Sequence, residues 1–251
     1  MSSEKATALV LRTVDFSETS LIVTMLTREF GKIGALAKGA RRLKNPFESA
    51  LDVLTTCRIV FLHKSSEALD LITEARLVRR FRPQGRNLAG LYAGYYVAEL
   101  LGAMTDDNDP HPELFDLADQ TLEALATGDD VHLWLVRFEL GALRFLGHMP
   151  ALDACAECGK PLEMVGRLTF STLHGGVLCK DCRSGRGKVL LVSAGVLRDM
   201  AKLSDLESQA FRRVEIDART LGELRAVLNH YLSDLLGRKP RMYEYLHEFW
   251  K

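Results

Sequence analysis

Two short runs, Cys155-Ala156-Glu157-Cys158 and Cys179-Lys180-Asp181-Cys182, place four thiols in two Cys-x-x-Cys pairs twenty residues apart. A two-residue spacer lets both sulfurs of a pair face one point. A gap of about 15–20 residues suits a hairpin that brings the second pair back to the first. Gly159 follows the first pair, where the chain must bend so that backbone N–H groups face the sulfurs. Residues 168–171 and 176–178 flank a His174-Gly175-Gly176 turn and read as that hairpin. The expected centre is one structural zinc per chain, held by Cys155, Cys158, Cys179 and Cys182. A disulfide-bonded loop or two unrelated thiol pairs are the alternatives. Four cysteines close the coordination shell, so such a zinc braces the chain and leaves no position for a catalytic water.

The charge is laid out unevenly. The 251 residues are 47% hydrophobic and 26% charged, with zero formal net charge, so any polyanion partner must be met by a local patch. Arg28, Lys32, Lys38, Arg41, Arg42 and Lys44 fall in one stretch that contains a single acid, Glu29. Between Asn87 and Val136 there is no Lys or Arg, whereas Asp106, Asp107, Asp109, Asp116, Asp119 and Glu123 all lie there. The basic block can meet a polyanion and the acidic middle cannot; plain solvated faces are the alternative for both. The opening Met1-Ser2-Ser3-Glu4-Lys5 lacks the basic-then-apolar layout of a signal peptide, and no apolar run reaches a membrane span of about 18 residues. With Cys57 as a lone thiol outside the paired set, the expectation is a cytoplasmic, nucleoid-associated protein.

Hydrophobic periodicity divides the chain. Residues 7–14, 20–26, 34–38, 51–62 and 69–78 read as five strands, with turn signals at Gly31, Asn45-Pro46 and residues 64–67. Five short strands in about eighty residues suit an OB-fold barrel, with an SH3-like barrel as competitor. Residues 87–104, 112–126 and 131–146 then follow helical spacing, and Gly128 and Gly147 sit where helices stop. Ser193 and Asp217 are N-cap candidates for helices over 195–203 and 220–236, the second ended by Gly237. The expected fold class is α+β: an N-terminal five-stranded OB-fold barrel over 1–82 and a helical domain over 83–251. A C4 zinc ribbon is inserted in the latter at about 152–190.

Catalytic signatures are missing from the sequence. The seven histidines form no His-Glu-x-x-His run, and neither Gly31-Lys32-Ile33-Gly34 nor Gly185-Arg186-Gly187 has the spacing of a phosphate loop. Asp106-Asp107-Asn108-Asp109 runs into Pro110 without the glycine and distal glutamate of a calcium loop, so it reads as a helix linker. Binding is better supported. Lys38, Arg41, Arg42 and Lys44 leave the third strand together, and OB barrels hold single-stranded nucleic acid with cations plus aromatic platforms. Phe16, Phe30 and Phe47 are the platform candidates, core burial being the better expectation for each. Arg183, Arg186 and Lys188 could add a secondary contact, as could Arg238, Lys239 and Arg241, which otherwise complement a helix end. A zinc-dependent nuclease and a purely protein-bridging adaptor stand as alternatives.

An ordered set of motifs resembles the RecO family of bacterial DNA repair proteins. It runs through Ser17-Glu18-Thr19-Ser20, Phe30-Gly31-Lys32 and Ala37-Lys38-Gly39-Ala40-Arg41-Arg42. It continues with Arg137-Phe138-Glu139-Leu140, Gly147-His148-Met149-Pro150 before the first cysteine pair, and Leu236-Gly237-Arg238-Lys239-Pro240. The resemblance implies a non-enzymatic recombination mediator with no nucleotide cofactor. It would bind single- and double-stranded DNA and anneal complementary strands. With RecR it would promote RecA loading onto DNA coated by single-strand-binding protein. The family's basic barrel segment maps onto Lys38, Arg41, Arg42 and Lys44. The docking point for the acidic C-terminal tail of single-strand-binding protein maps onto Arg137, for which an ion pair within its own helix or a solvated face are the alternatives.

Overall fold

Short apolar runs along the first eighty residues, strictly alternating only in the third strand, build a sheet that closes on itself. In the computed structural model, residues 2–45, 47, 49–63, 69–183, 189–207, 211 and 214–249 are described. Five strands, β1 (Ser2–Asp15), β2 (Leu21–Thr27), β3 (Gly31–Ala37), β4 (Thr55–His63) and β5 (Asp70–Arg80), close in the order β1-β2-β3-β5-β4. The β3–β5 pairing is parallel, Leu36 opposite Leu71, and the other four are antiparallel. This is the OB-fold order. Inside, Ala8, Ala35 and Ala37 leave room for Met25, Phe61 and Ile72, the small-with-large mixture that a narrow barrel needs.

β1 is buried on both faces. Ala6, Ala8 and Val10 point into the barrel, while Leu9 and Leu11 are also buried and lie on the side where helix α1 (Leu88–Met104) packs. α1 begins at Asn87, whose side chain accepts the Gly90 N–H at 2.8 Å. Helix α2 (Pro112–Thr127) starts with Pro112 and ends at Gly128 in the left-handed region, φ +91°. Residues 1–131 with 244–246 form one compact unit, so α1 and α2 pack with the barrel. The change from strand to helix near 82–83 therefore lies inside this unit.

The apolar run 51–62 is not one strand. β4 begins only at Thr55; Leu54 is left-handed at φ +65°, and its N–H reaches the Val10 carbonyl at 2.8 Å. Phe47, Ala50 and Leu51 are buried against the barrel interior, so these apolar residues form a plug rather than a strand. The linker over 106–109 is likewise more than a spacer. Lys32 pairs with Asp107 at 3.4 Å, and a Cβ on Gly31 (φ +71°) would lie 2.2 Å from the Asp109 carbonyl oxygen. Only glycine permits that approach.

The second unit covers 132–243 and 247–251. Helix α3 (Val131–Phe145) is buried from Trp134 to Leu143. A three-stranded sheet follows, β6 (Arg167–Ser171) between β7 (Gly176–Leu178) and β8 (Val189–Ser193). Ser193 caps helix α4 (Ala194–Leu203) and Asp217 caps helix α5 (Ala218–Leu235), as expected from the sequence. β8 and the short helix α6 (Met242–His247) were not anticipated. The β6–β7 hairpin is tied to α5 by Thr172 to Asp234 at 2.5 Å, and by Phe170 packing edge-on against Tyr231 at 6.0 Å. The Tyr231 hydroxyl donates to the His148 carbonyl at 2.8 Å.

Candidate functional site

At one end of the barrel the chain leaves β3 through Gly39, φ +77°, and turns back with the Arg42 N–H on the Gly39 carbonyl. Lys38, Arg42 and Lys44 are exposed, and among the described residues no acid reaches their side chains. Arg41 differs. Its guanidinium pairs with Asp15 at 3.0 Å and donates to the Ser17 carbonyl at 2.8 Å, clasping the β1–β2 turn.

The rest of the basic block is spent inside the unit. Arg28 donates twice to Asp116 of α2, at 2.8 and 3.0 Å, and that carboxylate holds its guanidinium pKa above the usual value. The Lys32 ammonium donates to the Gly102 and Thr105 carbonyls at the end of α1. Arg79 pairs with Asp119 and Glu123. Much of the acidic middle thus neutralises the barrel's own arginines, and the six-cation block narrows to three exposed cations and one clasp. The aromatics divide too. Phe47 is buried and Phe30 packs edge-on against Phe61 at 5.4 Å, while Phe16 is 59% exposed.

The four cysteines converge as their spacing requires, with all Sγ atoms within 4.8 Å of one another. Tetrahedral zinc with bonds of about 2.3 Å needs sulfurs about 3.8 Å apart, and Cys158 and Cys179 stand at 3.9 Å. Gly159 at φ +71° closes the first knuckle, its N–H on the Cys155 carbonyl at 2.8 Å. Burial of Cys155 opposes its ionisation, yet N–H groups of Cys158, Cys179 and Glu157 bring its thiol down to about 6. Cys182, hydrogen-bonded to Cys179 and crowded by the other thiols, is pushed up to about 12. Such a donor set can hold a soft tetrahedral ion. Cys57 stands apart in the barrel core, where burial pushes it up to about 12.

Arg137 is not a solvated cation. It is 4% exposed, donates to the Asp205 and Leu206 carbonyls at 2.8 and 2.7 Å, and lies 3.8 Å over the Phe211 ring. Its charge holds a turn, so it is not an open docking cation. Exposed cations occur instead beside a cleft of about 330 Å³ lined by Arg144, Met149, Leu152, Met164, Leu197 and Arg198. Deeper in the unit, Glu139 of α3 and Arg225 of α5 form a buried ion pair, 0% and 4% exposed. The sequence carried no signal for that pair beyond two charges on otherwise apolar helix faces. Arg183 is described, but Arg186 and Lys188 lie outside the described residues. Arg238, Lys239 and Arg241 follow the end of α5, with Lys239 over the Tyr243 ring at 5.0 Å.

An OB barrel with a bare cationic tip, followed by helices and a four-cysteine hairpin, defines a two-part α+β protein. Sequence comparison identifies which. The profile described as Recombination protein O N terminal matches residues 1–81, and Recombination protein O C terminal matches residues 85–244. The chain is 42% identical to the DNA repair protein RecO of Rhodopirellula baltica, covering 95% of this chain and 97% of that one. The RecO proteins of Anaeromyxobacter dehalogenans and Moorella thermoacetica are 36% and 31% identical, over 99% and 97% of this chain and 97% and 90% of theirs. The chain belongs to the RecO family, a family of DNA repair and recombination proteins and not of enzymes. The nuclease alternative falls with that. No helix among the described residues is long and apolar enough to cross a membrane.

Proposed function

We propose that the chain binds single- and double-stranded DNA at the barrel tip and anneals complementary strands. With RecR, it promotes RecA loading onto DNA coated by single-strand-binding protein in the bacterial cytoplasm. The carrying observation is the loop bearing Lys38, Arg42 and Lys44, which no described acid neutralises although the same unit pairs Arg28, Arg41 and Arg79. Cations left bare in a barrel that pairs its others suit phosphates. Arg41 supports them by holding the adjoining turn.

In this reading residues 1–82 hold DNA, and residues 83–251 hold partners and the ribbon over 152–190. The acidic tail of single-strand-binding protein docks in the cleft between Arg144 and Arg198. A carboxylate needs exposed cations and an apolar tail needs Met149, Leu152 and Leu197. Arg137 contributes by fixing the 205–206 turn. The four thiolates hold one structural zinc, which braces the hairpin against α5.

Strand annealing tests the core of this. Lys38→Ala, Arg42→Ala and Lys44→Ala combined should abolish annealing of complementary labelled oligonucleotides at about 100 mM salt while the circular dichroism spectrum is retained. Annealing at the parent rate would remove the barrel tip from the account.

A further inference from the structure

The cationic loop carries an apolar side chain at its centre. Leu43, between Arg42 and Lys44, is 107% exposed, and Phe16 on the adjoining turn is 59% exposed. Solvent is an unfavourable place for either. The loop does not lack a core to fill, since Phe47, Leu51 and Leu54, a few residues on, are all buried.

The Phe16 backbone is fixed while its ring stands free. Its N–H reaches the Ser20 carbonyl at 3.1 Å. Arg41 brackets it on both sides, through Asp15 at 3.0 Å and the Ser17 carbonyl at 2.8 Å. The Arg41 N–H also donates to the Thr19 carbonyl at 3.1 Å, which sets the Phe16 turn beside the loop that presents Leu43. Two apolar side chains are thus held outside the core among Lys38, Arg42 and Lys44.

A ligand fitting this surface is anionic along a backbone and apolar on planar faces. Single-stranded DNA has both; a duplex hides its base faces in the stack. We infer that Phe16 and Leu43 form a base-contacting pair, Phe16 stacking on one base and Leu43 packing against its neighbour, so that the tip prefers single strands. This rests on the proposed DNA-binding role of the tip. The cations supply affinity, the apolar pair supplies the preference, and Arg41 is a positioning residue.

Full-length protein with Phe16→Ser and Leu43→Ser, measured by fluorescence anisotropy, should bind labelled oligo-dT roughly tenfold more weakly. Duplex affinity should change by less than about twofold, and the slope of log K against log salt should stay unchanged, since no phosphate contact is lost. A Phe16→Trp variant should lose emission at saturating oligo-dT, and adding Arg41→Ala should diminish that quenching without lowering the slope. An Arg41→Ala slope loss of about 0.7 would make Arg41 a phosphate ligand and overturn its positioning role. Unchanged single-strand affinity, equal losses on both DNAs, or no quenching overturns the inference while leaving the tip a DNA site, provided Lys38→Ala/Arg42→Ala/Lys44→Ala weakens binding. If that triple variant also binds at full strength, the tip is not a DNA site and the inference falls with it. An apolar–basic tip that seats only a protein partner gives that last result.

Discussion

Glu139→Ala is the sharpest structural test of the second unit. Glu139 and Arg225 are 0% and 4% exposed, and their pair joins α3 to α5. Removing the carboxylate takes a counter-charge away from a buried guanidinium, which costs about 3–5 kcal/mol. With a urea m-value of about 3 kcal/mol/M for a folding unit of this size, the midpoint should fall by roughly 1–1.7 M. Trp134, buried on α3 and edge-on to Phe211 at 5.1 Å, reports unfolding of this unit once Trp250 is replaced by Phe. Replacing both partners, Glu139→Leu with Arg225→Met, removes both desolvated charges and should restore most of the loss, because the pair's attraction only offsets its own desolvation. A single-variant cost below about 1 kcal/mol, or two single costs that simply add, would refute the buried-pair reasoning.

Three further outcomes follow from the geometry. Freshly purified protein should contain one zinc per chain by elemental analysis, and Cys158→Ser or excess chelator should release it and loosen the hairpin; well under one zinc would sink the assignment. Cys57, held protonated up to about 12 by burial, gives stability that is fully present below the unfolded thiol value and lost as pH rises toward 12. Thermal melts between pH 8 and 11 should therefore decline less steeply for Cys57→Ala than for the parent. Arg28→Ala, although it removes a cation from the basic block, should leave DNA affinity unchanged, because Asp116 already holds that charge; binding titrations check it.

Some of this was legible in the sequence for a physical reason. Ligand spacing is local, so two Cys-x-x-Cys pairs declare their cluster without knowledge of the fold. Strand alternation and the caps at Ser193 and Asp217 are equally local. What stayed hidden depends on partners far along the chain. Arg28 and Asp116 are 88 residues apart, so the basic block looked larger than the surface it makes. Arg137 matched a docking cation by motif, but the carbonyls that hold it lie 68 and 69 residues away. Phe16 and Phe47 are chemically identical, and only topology sends one to solvent and the other into the plug. The run 51–62 misled because continuous apolarity signals burial without saying which backbone shape achieves it.

The central claim is that three bare cations at the barrel tip hold DNA phosphates. The most direct measurement is the salt dependence of single-strand affinity for the parent protein and for Lys38→Ala/Arg42→Ala/Lys44→Ala. Each phosphate contact contributes about 0.7 to the slope of log K against log salt on single strands, so the triple variant should lose about 2 units of slope. Parallel lines for the two proteins would contradict the claim.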